Sequence, residues 1–341
     1  MSKIKPKTTD ALMKYLRDVK GIAIAGSSQK RKLRYIGYYH AYKGYRYINK
    51  ASNQVHYSNF DELVAVYDFD AQIKALFYPY VMQIETAFKN YVLEVIVHEV
   101  HSESFIDIYN SLLINYMSFS TLGKRYPDTK SRERAEKKYH YELQKRLELR
   151  NRVYSVQTNA FSNGNNIANH YLQNDVSLPI WGIFELLSLG EFGHFVSCLN
   201  YSCRRNISKS LSIHQSDDSN AMLPQRLIYA TKDLRNAIAH NDVVFDARFK
   251  TGKIDKQVGN AIANVSGVSA LSFETVTDYL ALIVYQLKLL KNSKTEIKRL
   301  ITNYTEIVER LRNNVPTNIF NQIIHTDNNT KVKRLKTFAS A

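Results

Sequence analysis

Glycine and proline are scarce in this chain, 12 and 6 of 341 residues, which disfavours Gly-rich β-propellers, collagen-like repeats and Rossmann-type nucleotide loops. Its 2 cysteines cannot build a disulfide scaffold and suit a reducing cytosol. Long hydrophobic runs are missing as well. The most apolar later stretch, Val276 to Leu290, is interrupted by Thr277, Asp278, Gln286 and Lys288, and is too short and too polar to span a bilayer. The opening residues MSKIKPKTTD are polar, so no signal peptide is expected, and the chain reads as soluble and cytoplasmic with no membrane partner. Acidic residues are the last shortage: 31 against 47 Lys+Arg, a formal charge of +16. Apolar material is plentiful at 44%, enough for a buried core and too much for global disorder. The length allows about two domains, or one large domain with appendages.

A positive surplus of this size favours a polyanionic partner, because each neutralised phosphate releases condensed counterions. The alternative, charge serving only solubility, fits less well because the charge is clustered. Between Val19 and Phe60 stand eight basic residues, Lys20, Lys30, Arg31, Lys32, Arg34, Lys43, Arg46 and Lys50, and no acidic one. Tyr35, Tyr38, Tyr39, Tyr42, Tyr45 and Tyr47 are interleaved with them. Cations for phosphates beside flat rings for bases suit a single-stranded or looped RNA. Some of these tyrosines also recur at helical spacing, which a core would use equally well. A second cluster, Lys124 to Arg152, mixes eleven basic with five acidic residues and reads as a solvated helix laced by i,i+4 pairs. A third, Lys331 to Lys336, reads as a disordered basic tail adding nonspecific affinity.

Helical periodicity dominates. Leu63, Tyr67, Ile73, Phe77, Val81, Ile84, Phe88, Val92 and Val95 recur mostly every three or four residues and predict one or two long helices from Phe60 to about Val100. Similar spacing runs from Pro179 to Leu199, Pro224 to Ile238 and Val276 to Leu311. Strand signals are few: Tyr45 to Ile48, and Val243 to Lys250 with a Thr251-Gly252 turn, predict short hairpins. The expected fold is mainly α, a helical bundle with a basic N-terminal appendage and few short strands. Its segments are a basic, Tyr-rich stretch at 1–58, a helical domain at 59–312 and a basic tail at 313–341.

The segment richest in chemistry is Thr231 to Asp242, which holds Arg235, Asn236 and His240. Leu227, Ala230, Leu234 and Ile238 form an apolar stripe, so the segment is a helix packed on the core. Asn236 and His240 then stack on one face, while Arg235 and His240 lie about 140° apart around the axis. One straight helix clasps a phosphate poorly with that pair; two such helices across a two-fold axis would converge both pairs on one cleft. Glu85 falls on or beside the apolar stripe of its own helix, and a buried carboxylate needs a partner. Lys89 at i+4 and Arg235 are the candidates.

Glu-x3-Lys on one helix with Arg-x4-His on another resembles the motif pair of HEPN ribonucleases. Ile36-Gly37-Tyr38-Tyr39-His40-Ala41-Tyr42, Tyr67-Asp68-Phe69-Asp70 and Ile84-Glu85 resemble the N-terminal half of the Abi family, the AbiF/AbiD-type abortive-infection proteins of bacteria. Pro179-Ile180-Trp181 with Glu185, Leu187-Ser188-Leu189-Gly190 and Phe195 resembles that family's middle signature. Leu234 to His240 with Arg248-Phe249 resembles its catalytic end. The chain departs in having His40 where relatives often carry Arg or Lys, and Lys89 where many have Arg.

The resemblance implies a HEPN-like, metal-independent endoribonuclease of phage defence in the bacterial cytoplasm, a homodimer associated with a small structured noncoding RNA. Metal-free cleavage needs a base for the 2′-OH, an acid for the leaving 5′-oxygen and a cation for the phosphorane. His240 can be base or acid, Arg235 supplies a fixed bidentate cation, Asn236 orients His240 or the phosphate, and Glu85 holds Arg235. The products would be a 2′,3′-cyclic phosphate and a 5′-hydroxyl. Lys30, Arg31, Lys32, Arg34, Tyr38, Tyr39, Lys43, Arg46 and Lys89 are the candidate RNA contacts. No cofactor or metal is expected. His194-x3-Cys198-x4-Cys203 lacks a fourth ligand, and Gly26-Ser27-Ser28-Gln29-Lys30 lacks the second glycine and the Gly-Lys-Ser/Thr ending of a P-loop. Two other readings stay open: an RNA-binding protein of the same fold with weak or no cleavage, and a DNA-binding regulator favoured by net charge alone.

Overall fold

A computed structural model of the chain describes residues 8–114 and 119–341. In chain order its α-helices are α1 (Thr9–Lys20), α2 (Gly26–Tyr38), α3 (Phe60–Val100), α4 (Phe105–Ser111), α5 (Leu122–Arg125), α6 (Thr129–Ser162), α7 (Asn166–Leu172) and α8 (Ile180–Leu186). They continue with α9 (Leu189–Cys198), α10 (Tyr201–Ser210), α11 (Leu223–Ala239), α12 (Lys256–Ser266), α13 (Val276–Leu289), α14 (Lys294–Asn314), α15 (Thr317–Ile323) and α16 (Asn328–Ser340). The fold is mainly α, and no helix among the described residues is long and apolar enough to cross a membrane.

The hairpins expected at Tyr45–Ile48 and Val243–Lys250 do not form. The first stretch contributes a single bridge, Tyr47 with Gln54, and the second is a run of turns. In the second the reason is a distant partner: the Val244 and Phe245 amides donate to the Asp70 carboxylate instead of to a neighbouring strand.

The chain divides into two compact units, one of Met1–Met82, Asp233–Lys253 and Gly259–Ala341, the other of Gln83–Lys232 and Ile254–Val258. In the first unit α13 is the central helix, buried on every side from Val276 to Leu287, as a helix apolar all round must be. Two of its polar residues are held by neighbouring elements. Asp278 pairs with Lys331 at 2.7 Å and accepts from the Phe273 amide, and Thr277 meets Tyr304 and Asn328. Lys331 opens the C-terminal basic run, and Val332 and Leu335 are buried with it. The run is therefore a packed helix, α16, and not a disordered tail: its apolar spacing outweighs its charge.

Within this unit α3 buries Phe60, Leu63, Val66, Phe69, Ile73, Phe77 and Val81. Val66 and Phe69 take the place expected of Tyr67, which is half-buried. Phe77 stacks on Tyr304 of α14 with ring centroids 6.4 Å apart. The Val276–Leu311 pattern breaks into α13 and α14 because Lys291 turns left-handed (φ 58°) and Ser293 caps the next helix by accepting from the Glu296 amide.

In the second unit the Pro179–Leu199 pattern breaks into α8 and α9 at a capping box. Ser188 accepts from the Glu191 amide, and Glu191 accepts from the Ser188 amide. Gly193 lets α9 lie close on α11: a Cβ there would come within 3.1 Å of Ile228 and Tyr229. Asp218, fully buried, accepts from the Met222 and Leu223 amides and so holds the start of α11. The mixed-charge α6 is a largely exposed helix carrying the expected i,i+4 pairs, Arg132–Glu136 and Lys138–Glu142.

Candidate functional site

The Arg-x4-His segment closes α11. Leu234 and Ala237 are buried, so the stripe seats this stretch while Arg235 and Asn236 stay partly accessible and His240 is exposed. The helix stops in a Schellman turn. The Asn241 amide donates to Ile238 O at 3.2 Å, the Asp242 amide to Ala237 O at 2.8 Å, and Asn241 sits at φ 55°. His240 is thus the capping residue itself, fixed through its backbone and open to solvent through its imidazole. An Arg235 guanidinium nitrogen donates to Asn236 Oδ1 at 3.3 Å, which joins two of the three motif side chains.

The turn is anchored from α3 by a group that sequence reasoning passed over. Asp70, fully buried, accepts from the Val244 and Phe245 amides, each at 2.7 Å, from the Tyr45 hydroxyl at 2.9 Å and from Lys74 at 2.9 Å. Lys74 then donates to Asn241 Oδ1 at 2.6 Å and to Asp242 O at 3.3 Å. One buried ion pair therefore fixes the residue after His240, the loop beyond it and the Tyr-rich segment. Burial, followed by the Asp70 charge, pushes the Tyr45 hydroxyl far above its ordinary pKa, so Tyr45 is a neutral core donor and not a surface ring.

A second clip repeats the scheme. Asp246 accepts from the Asn49 amide at 2.7 Å and pairs with Arg248, which reaches Tyr47 O and lies 4.2 Å from the Tyr47 ring centroid. Asn241 is itself testable. A β-branched residue strains the left-handed region, so Asn241→Val should lower stability by about 1–2 kcal/mol or more in chemical denaturation, and Asn241→Gly by less.

These clips seat the Tyr-rich segment against the end of α11. Tyr39–Lys43 forms one π-helical turn, closed by the Gly44 amide donating to Tyr39 O at 2.7 Å. Gly44 allows a close approach here: a Cβ would stand 3.0 Å from a Val243 methyl, which would have to give way. Between the turn and the helix opens a cleft of about 440 Å³, with Tyr39, Lys43 and Arg46 on one wall and Asn236, Asp242 and Thr251 on the other. His240 lies at its rim in sequence and does not line it.

The remaining candidates separate by exposure. Arg31, Arg34, Lys43 and Arg46 are exposed, and Tyr35 between the two arginines is 85% exposed. Arg31, Arg34 and Tyr35 fall at i, i+3 and i+4 and form one outward stripe on α2. Lys30 and Lys32 are half-buried and already paired, with Asp10 at 2.7 Å and Asp68 at 3.4 Å. Tyr38 is half-buried, stacked on Tyr42 with centroids 6.0 Å apart, and burial, then Tyr15, pushes its hydroxyl up to about 12.

Glu85 and Lys89 belong to the second unit. Both are buried, and they pair at 3.3 Å, as the stripe position of Glu85 required. Lys89 also donates to Leu187 O at 3.1 Å. It is therefore a core cation and not an RNA contact, because its side chain is buried and its ammonium is engaged by Glu85 and Leu187 O. In the same unit His194 Nε2 lies 3.8 Å from Cys198 Sγ. Burial, then Lys145, lowers the His194 pKa, and burial raises the Cys198 thiol.

The family described as Abi-like protein matches residues 31–246, well over half of the chain. The chain belongs to that family. Membership indicates a part in abortive-infection defence against phage. No curated protein and no solved structure matches it. The matched span opens at Arg31 on α2 and closes at Asp246, so it takes in the basic stripe, the Asp70 anchor and the whole Arg-x4-His segment.

Proposed function

We propose that this chain is a metal-independent endoribonuclease of AbiF/AbiD type and HEPN ancestry, working in the bacterial cytoplasm and controlled by a small structured noncoding RNA. The observation that carries it is His240: an exposed imidazole held by its own backbone at an anchored helix end, one turn from a hydrogen-bonded Arg235–Asn236 pair. That arrangement provides an imidazole for proton transfer and a fixed cation for phosphoryl oxygens. A second copy, bringing its own motif helix, would supply the other proton-transfer group.

The second reading, RNA holding without cleavage, is favoured by the α2 stripe, which owes nothing to His240. Both readings share one test. Replacing Arg31, Arg34, Lys43 and Arg46 with alanine should weaken single-stranded RNA binding. It should also flatten the log–log salt slope by about 0.7 per lost contact, roughly 3 in all. An unchanged slope would remove this face from the interface and turn attention to α6. RNA purified with the wild-type chain and absent from this variant would identify the natural ligand.

A further inference from the structure

The cleft beside the π-helical turn has a composition that phosphodiester cleavage alone does not require. Tyr39 is 59% exposed on one wall. Its ring meets His40 in a T-shaped contact at 5.1 Å and lines the cleft. Tyr47, the neighbouring ring, is already covered by Arg248, so Tyr39 is the platform. Lys43 and Arg46 are exposed and line the same cleft, the Lys43 ammonium 5.8 Å from the Tyr38 ring centroid and the Arg46 guanidinium 5.7 Å from that of Tyr47. On the opposite wall Asn236, whose Oδ1 accepts from Arg235, lines the cleft together with Asp242. An aromatic face, two cations and a donor–acceptor pair are the groups that hold a base, a phosphate and a base edge or ribose. At about 440 Å³ the cleft is near the small end of ligand clefts, with room for one nucleotide and none for a base pair.

We infer that this cleft is a subsite for a single unpaired nucleotide of RNA, its base stacked on Tyr39 and its phosphate held by Lys43 and Arg46. Its chemistry stands alone, and its place in a cleavage reaction rests on the ribonuclease reading above. Asn236 and His240 are four residues apart, about 6 Å along the helix axis, which one nucleotide of an extended strand spans. The seated nucleotide therefore adjoins the phosphate presented to His240, and Tyr39 acts as a positioning residue for it.

The test is RNA binding by full-length protein carrying His240→Ala, so that no probe is cut. The probes are fluorescein-labelled single-stranded hexa-adenylate and the same RNA with one abasic site at each position in turn. Adding Tyr39→Ala should weaken hexa-adenylate binding roughly 5- to 150-fold, the range of one lost stacking contact, while Tyr39→Phe stays within about twofold. For one abasic position the Tyr39→Ala penalty should vanish, because that RNA has no base to stack. The same RNA in duplex form should bind independently of residue 39. Equal affinity of the Tyr39→Ala and Tyr39 proteins for hexa-adenylate would overturn the subsite, as would a full penalty on every abasic probe. If wild-type protein cuts no RNA while binding shows the Tyr39 and abasic dependence, the ribonuclease reading fails and the subsite stands. Cleavage that depends on His240 with no Tyr39 effect is the reverse result.

Discussion

His240→Ala should slow RNA cleavage by roughly 10²–10⁴-fold, the usual loss when a general acid or base is removed, with thermal unfolding and RNA affinity nearly unchanged. The structural ground is its position as capping residue of α11: the amide bonds to Asn236 O at 2.9 Å, and the imidazole is exposed. Alanine keeps that backbone bond and empties no core volume, so the effect falls on chemistry alone. Arg235→Ala should be as damaging to cleavage, because no other motif side chain carries a fixed positive charge. It should also disturb Asn236, whose Oδ1 loses its donor. Mixing His240→Ala chains with wild type should lower activity by more than dilution if two motif helices share one cleft. Cleavage rates of single and mixed proteins, measured beside their melting curves, check all three statements.

Asp70→Ala should be the most destabilising single change in the first unit. It leaves Lys74 buried without its carboxylate, the Tyr45 hydroxyl without an acceptor and the Val244 and Phe245 amides unsatisfied. Breaking a buried pair by removing one partner costs about 3–5 kcal/mol, which for a unit of this size lowers the melting temperature by roughly 6–20 °C. Asp70→Asn keeps an acceptor for the amides and should lose distinctly less. The double variant Asp70→Asn, Lys74→Met removes both charges and should recover part of the Asp70→Ala loss. Calorimetry on the four proteins decides it: equal melting temperatures for Asp70→Ala and wild type would mean the anchor holds nothing.

The helices and much of the motif geometry were legible because their causes are local. A repeat of three to four apolar residues marks α3 and α11, and Glu85 on its stripe demanded the partner it has in Lys89. The same reasoning applied to Asp70, set between Phe69 and Ile73 with Lys74 at i+4, would have found the second pair on that helix. The two pairs share one spacing. Counting Lys89 as an RNA contact contradicted its role as the partner of Glu85, and burial decides for the latter. The hairpins and the basic tail were misread for another reason. Val243 to Lys250 has strand composition, but its Val244 and Phe245 amides answer the distant Asp70 carboxylate, and its own Asp246 accepts from the Asn49 amide across 197 positions. No local pattern announces such partners. In α16 the charges dominate the composition while Val332, Leu335 and Ala339 face the core.

The most direct measurement is end-group analysis of single-stranded RNA incubated with purified wild-type chain in excess EDTA. In the proposed reaction a base takes the 2′-hydroxyl proton, the 2′-oxygen attacks the adjacent phosphorus, the P–O5′ bond breaks and an acid protonates the leaving 5′-oxygen, with His240 in one of these two roles and Arg235 neutralising the phosphorane. The predicted result is fragments ending in 2′,3′-cyclic phosphate and beginning with 5′-hydroxyl, absent with His240→Ala. Fragments with 3′-hydroxyl and 5′-phosphate ends, formed only when divalent metal is restored, would contradict it.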